Sequence, residues 1–167
     1  MIRVFVCIII LTKYITDTKI VSVGGSMKLL TKNTDYAVRA LLTLASLKKD
    51  EYLSARQISQ RQKVPYQYLR RILQELIKKN LVISREGGGG GFRLKKRPNS
   101  IEISGIINIF QGRIQLSDCM FRKKLCHNRS NCVLRNQIQR IESIVASEFS
   151  KITIGSLLKD LTKQKGG

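Results

Sequence analysis

Residues 35–47 (DYAVRALLTLASL) set Val38, Leu41, Leu42 and Ala45 at i, i+3, i+4 and i+7, the spacing of one helical face. Thr31, Asn33 and Thr34 are the candidate caps of that helix. Lys48 to Tyr52 is polar and turn-like. A second, short helix is signalled at Ser54, because Ser54-Ala55-Arg56-Gln57 fits a capping box in which serine and glutamine satisfy each other's backbone amides. Ile58 is its apolar anchor, and Lys63-Val64-Pro65 interrupts it. Proline is tolerated where the next helix begins, since its missing N–H would have had no partner there. That third helix runs to about Asn80, with Leu69, Ile72, Leu73, Leu76 and Ile77 on one stripe.

Leu81-Val82-Ile83-Ser84 reads as a strand and Phe92-Arg93-Leu94 as its return, with Gly87 to Gly91 between them. Ile101-Glu102-Ile103 reads as a short strand, Ser104 as the cap of a helix through Phe110, and Gly112 as its end. A loop follows from Ser117 to Cys132. Leu134, Ile138, Ile141, Val145 and Phe149 then step by 4, 3, 4 and 4, which predicts a long amphipathic helix. Its apolar seam suits a core or a subunit interface equally. Ile152-Thr153-Ile154 and a last helix carrying Leu157, Leu158 and Leu161 close the chain.

The first 26 residues differ in character from the rest. Val4 to Leu11 is a run of eight apolar residues, too short for a transmembrane helix, which needs about 20. Lys13-Tyr14 stands where a signal peptide would have a small-residue cleavage site. Gly24-Gly25-Ser26 precedes Met27, and two glycine codons can spell a purine-rich ribosome-binding stretch. Met27 is therefore the expected start, with 1–26 a translated leader; Cys7 receives no role.

Charge narrows the partner. Lys plus Arg number 31 against 11 for Asp plus Glu, a net charge of +20, and such a surface attracts a polyanion. No basic amphipathic membrane anchor is evident, so nucleic acid is favoured over a membrane. Two helices joined by a short turn, with a polar basic face on the second, describe a helix-turn-helix, and the hairpin after it describes a wing. Gln67, Arg71, Gln74 and Lys78 form the face opposite the apolar stripe, with Arg70 beside it. Arginine can reach guanine O6 and N7 with two hydrogen bonds, and glutamine can do the same for adenine. Ser54, Tyr66 and Tyr68 at the helix starts are further candidate contacts. In the wing the candidates are Arg85, Gly88, Gly89, Gly90 and Arg93, with Lys95, Lys96 and Arg97 adding charge along the backbone or minor groove. No Gly-Lys-Ser/Thr follows the glycines, so they are not a nucleotide-binding loop.

Cys119, Cys126 and Cys132 are separated by six and five residues, wider than the Cys-x-x-Cys clips of most structural zinc sites. Thiolates are the soft ligands that an iron–sulfur cluster needs, and Arg122, Lys123, Lys124 and Arg129 would attract an anionic cluster. Zinc held by these cysteines and His127, or reactive thiols without metal, are the competing readings. Four cysteines without a secretory signal suit a reducing cytoplasm. His127 is the only histidine, and no Ser/His/Asp set or paired acids stand with it in a recognisable motif, so an enzyme is not expected.

The chain resembles the Rrf family of winged-helix regulators, which includes iron–sulfur regulators of the IscR and NsrR kinds. The likeness rests on Leu30-Thr31-Lys32, Thr34 to Leu41 (TDYAVRAL), Tyr68-Leu69, Ile72-Leu73, Leu81-Val82 and Gly87 to Leu94, and it covers nearly all of 27–162. The resemblance implies a mainly α fold with a small β wing: a winged helix-turn-helix domain over 27–100, a connector and cysteine loop over 101–132, a dimerisation helix and C-terminal cap over 133–162, and a tail over 163–167. It implies a bacterial, cytoplasmic DNA-binding homodimer paired through Leu134, Ile138, Ile141, Val145 and Phe149. It also implies transcription regulation switched by a 4Fe-4S or 2Fe-2S cluster that senses nitric oxide, redox or iron status.

The histidine that serves as fourth ligand in the IscR-like branch is missing from Val133-Leu134-Arg135; Asp35 stands where the NsrR-like branch has its aspartate, and His127 is the other candidate. The family usually has arginine just before its wing glycines, whereas here that position is Glu86 and Arg85 lies one residue earlier. A cluster-free regulator that answers a metabolite or a partner protein would keep the wing and leave the cysteines idle. An iron–sulfur electron-transfer or scaffold protein would use the cysteines and leave the wing unexplained.

Overall fold

A computed structural model describes residues 29–116 and 132–165. Helix α1 (Lys32–Ala45) starts at Thr31, whose hydroxyl accepts the Thr34 amide at 3.3 Å, so Thr31 is the cap among the three candidates. Its buried apolar residues are Ala37, Ala40, Leu41 and Leu44, whereas Val38, Leu42 and Ala45 of the expected stripe are half-buried. The stripe is wider than expected because α1 is a central helix. It packs on α3 (Tyr66–Lys78), α4 (Ile103–Gln111), α6 (Ile154–Lys165) and the wing, and its alanines let those neighbours come close.

Helix α2 (Ala55–Gln62) has the capping box in full: Ser54 Oγ accepts the Gln57 amide at 3.2 Å, and Gln57 Oε1 accepts the Ser54 amide at 2.8 Å. Lys63, at φ 51°, turns the chain out of α2, and Pro65 precedes α3. Leu69, Ile72, Leu73 and Leu76 bury one face of α3 against α1 and α2. Strands β1 (Val82–Arg85) and β2 (Gly91–Leu94) pair antiparallel, from Val82 opposite Leu94 to Arg85 opposite Gly91. Leu53 joins the edge of β2: its amide donates to Phe92 O at 3.1 Å, and its carbonyl accepts from Phe92 N at 2.8 Å. Gly91 allows this approach, for a Cβ there would lie 2.5 Å from the Leu53 carbonyl group.

The strand expected over Ile101-Glu102-Ile103 is not formed. Glu102 makes one isolated antiparallel bridge with Thr153, framed by Ile103 N to Ile152 O and Ile154 N to Ile101 O, both at 2.9 Å. The pairing stops there because both segments turn at once into helices, α4 at Ile103 and α6 at Ile154. Glu102, not Ser104, is the cap residue of α4, and the Ser104 hydroxyl bonds its carboxylate at 3.0 Å. Helix α5 (Val133–Lys151) packs on α4, yet none of its residues is fully buried. The 1–26 segment lies outside the described residues.

Candidate nucleic-acid interface and cysteine site

Helix α3 presents Gln67, Arg71, Gln74 and Lys78 on the side opposite its buried stripe, with Arg70 on the flank, and all five are exposed. The side chains of Gln67, Arg71 and Gln74 have no partner among the described residues, so their hydrogen-bonding groups are available. Arg70 lies with its guanidinium carbon 5.9 Å from the Tyr66 ring centroid, a loose cation–π contact that restrains it. Lys78 Nζ is 2.7 Å from Glu75 Oε1, an exposed ion pair along the same helix. Tyr66 and Tyr68 are exposed large rings at the start of the helix. Ser54 differs from the rest, because its hydroxyl is engaged in the α2 cap.

The wing stands next to this face in the chain. Gly90 N donates to Gly87 O at 3.0 Å and closes its turn. Gly88 and Gly89 lie in open space, where backbone amides can approach a phosphate. Arg85 is exposed, and Glu86 beside it is exposed as well. Arg93 is half-buried and held by Asp50 through Nη1 and Oδ1 at 2.8 Å. Lys95 Nζ donates to Asn80 Oδ1 at 2.8 Å.

Of the expected cluster ligands, Cys119, Cys126 and His127 lie outside the described residues. Cys132 is half-buried and directly precedes α5. Asp35 sits in the first turn of α1, half-buried, with Oδ2 3.0 Å from Arg39 Nε one turn on. Among the described residues no three candidate ligands converge. The expected pairing seam divides: Val145 and Phe149 pack against the core, Ile138 is half-buried, and Leu134 and Ile141 are exposed together with Val133 and Ile144.

The sequence pattern of the Rrf2 family, described as "Iron-dependent Transcriptional regulator", matches residues 30–160. The chain belongs to the Rrf2 family. It is 30% identical to the transcriptional regulator NsrR of Halalkalibacterium halodurans over 79% of this chain and 88% of that protein. It is 31% identical to the transcriptional regulator IscR of Vibrio campbellii over 80% of this chain and 79% of the relative. Among solved structures, IscR of T. potens superposes with a TM-score of 0.65 at 25% identity, covering 82% of this chain and 91% of that one. The winged-helix arrangement of the two is the same. These relatives of the Rrf2 chain are transcriptional regulators, not enzymes. No helix among the described residues is long and apolar enough to cross a membrane.

Sequence reasoning missed the Gln111 hydrogen bonds to Thr31 and Thr34, the Asp50 pair with Arg93 and the Tyr52 ring beside Arg85 and Arg93. All are contacts between distant segments, and none of the three residues stands in a recognisable local pattern.

Proposed function

We propose that this Rrf2 regulator binds double-stranded operator DNA as a homodimer in the bacterial cytoplasm, and that an iron–sulfur cluster switches that binding. The observation that carries DNA recognition is the free face of α3, where Gln67, Arg71 and Gln74 have exposed side chains without partners. Arg70 and Arg71 would read guanine edges and Gln67 and Gln74 adenine edges in the major groove. Arg85 and the amides of Gly88, Gly89 and Gly90 would follow the phosphate backbone, while Arg93 is held by Asp50. Val133, Leu134, Ile141 and Ile144, exposed on α5, form an apolar face that suits a second copy of the chain.

Cys119, Cys126 and Cys132 would supply three thiolates and Asp35 the fourth ligand, a donor set whose softness suits iron and sulfide. Bound there, a 4Fe-4S or 2Fe-2S cluster would supply an iron centre that reacts with nitric oxide or oxidants. Asp35 faces Arg39 through Oδ2, and as a ligand its carboxylate would hold iron beside that guanidinium. A cluster-free regulator, which would leave the cysteines idle, is the second reading. Anaerobic purification separates the two. A brown protein with iron and acid-labile sulfide supports the cluster, and a colourless protein free of iron supports the alternative.

A further inference from the structure

We propose that Tyr52 is a positioning residue for DNA binding, whose ring directs Arg85 of the wing toward a DNA phosphate. This role rests on the DNA-binding reading above and names a residue that does not itself touch DNA. Two guanidiniums attend the ring: Arg93 with its carbon 5.2 Å from the centroid, and Arg85 with its carbon 5.9 Å away. Two cations at one ring repel each other unless one of them is neutralised. Asp50 does this for Arg93, through the 2.8 Å ion pair. Arg93 is half-buried, and its guanidinium is held by Asp50 on one side and the ring on the other. Arg85 is exposed and forms no ion pair among the described residues, so its charge remains available.

The ring is itself held in place. Leu53, the next residue, is buried and exchanges two backbone hydrogen bonds with Phe92 in β2. Tyr52 is thereby carried on a segment locked to the wing. Asp50, at φ 66°, turns the preceding loop so that its carboxylate meets Arg93. An arginine on a hairpin otherwise distributes over many rotamers, and one resting loosely against a ring has lost part of that freedom before DNA arrives. Arg93 and Asp50 brace the ring, the ring orients Arg85, and Arg85 meets the phosphate.

The test is a double-mutant cycle on full-length protein, with a random-sequence DNA duplex as probe, titrated by fluorescence anisotropy at several salt concentrations. Arg85→Ala is expected to weaken binding and to lower the magnitude of the log–log salt slope by about 0.9, the loss of one phosphate contact. Tyr52→Leu should weaken binding several-fold, and Tyr52→Leu with Arg85→Ala should bind no more weakly than Arg85→Ala alone. Tyr52→Phe keeps the ring and should restore wild-type affinity. Losses that multiply in the double variant, or a Tyr52→Phe as weak as Tyr52→Leu, would overturn the role. If Tyr52→Leu does not fold, Arg85→Lys takes its place. It keeps the charge and loses the planar face, so it should bind more weakly than wild type; wild-type affinity would overturn the role. A wild-type protein that binds no duplex defeats the DNA-binding reading itself, whereas additive losses on a binding wild type defeat only Tyr52.

Discussion

The hydroxyl of Thr34 donates to Gln111 Oε1 at 2.8 Å, across 77 residues of sequence. The same oxygen accepts the Thr31 amide at 2.9 Å, and Gln111 Nε2 donates to Leu29 O at 2.8 Å. One side chain at the end of α4 thus closes the amino-terminal end of α1, where Asp35 is the residue after Thr34. Thr34 is fully buried, so its hydroxyl depends on this partner and on Thr31 Oγ1 at 3.1 Å. Gln111→Leu should destabilise the fold by about 1–3 kcal/mol, the usual effect of stranding buried polar groups. Denaturant unfolding measures it, and an unchanged midpoint would show that the clamp contributes nothing.

The α2 cap gives a second stability test. Ser54→Ala removes the acceptor of the Gln57 amide, and about 1 kcal/mol of stability should go with it. Ser54→Asp preserves an acceptor and should recover most of that loss in the same unfolding experiment. Equal stability of wild type and Ser54→Ala would mean that the box is formed without energetic consequence.

Arg71 is exposed on α3 without a partner among the described residues. Arg71→Ala should lower affinity for the preferred operator by roughly 1–3 kcal/mol while leaving random DNA less affected, because a bidentate guanine contact is lost. Competition binding on the two sequences decides it. Equal losses on both would mean that Arg71 contacts only the backbone.

Ile141 is 47% exposed on α5. Placed in the pairing interface, an aspartate there would bury a charge, so Ile141→Asp should yield monomers in sedimentation. Wild-type half-sites should lie about one helical turn, or a multiple, apart. A variant that sediments as the wild type does would put the interface elsewhere.

Local chemistry made much of the fold legible. The Ser54–Gln57 box and the Leu69, Ile72, Leu73 and Leu76 stripe depend on residues within one or two turns of each other, and both are present as expected. The β1–β2 hairpin was legible for the same reason, from two short apolar runs around glycine. Errors arose where tertiary partners decide. Ile101-Glu102-Ile103 has strand-like residues but only the short Ile152–Ile154 segment to pair with, so a single bridge forms. The buried face of α1 includes Ala37 and Ala40, whose small side chains matter for close packing and hardly register in a pattern of large apolar residues. Candidate contacts on α3 could be named from helical spacing alone. The Asp50–Arg93 and Glu75–Lys78 pairs, which occupy two of the expected DNA-binding cations, required coordinates.

The switch is tested most directly by operator affinity of cluster-loaded and cluster-free protein at one fixed salt concentration, before and after exposure to nitric oxide or oxygen. Cys126→Ala serves as the control that should hold no cluster, while Asp35→Ala should hold one less firmly. The affinities of the two states are predicted to differ by about 5- to 150-fold, the usual span of coupling between two sites. Identical affinities in all states, or full cluster occupancy in Cys126→Ala, would contradict an iron–sulfur switch and leave a DNA-binding regulator governed by something else.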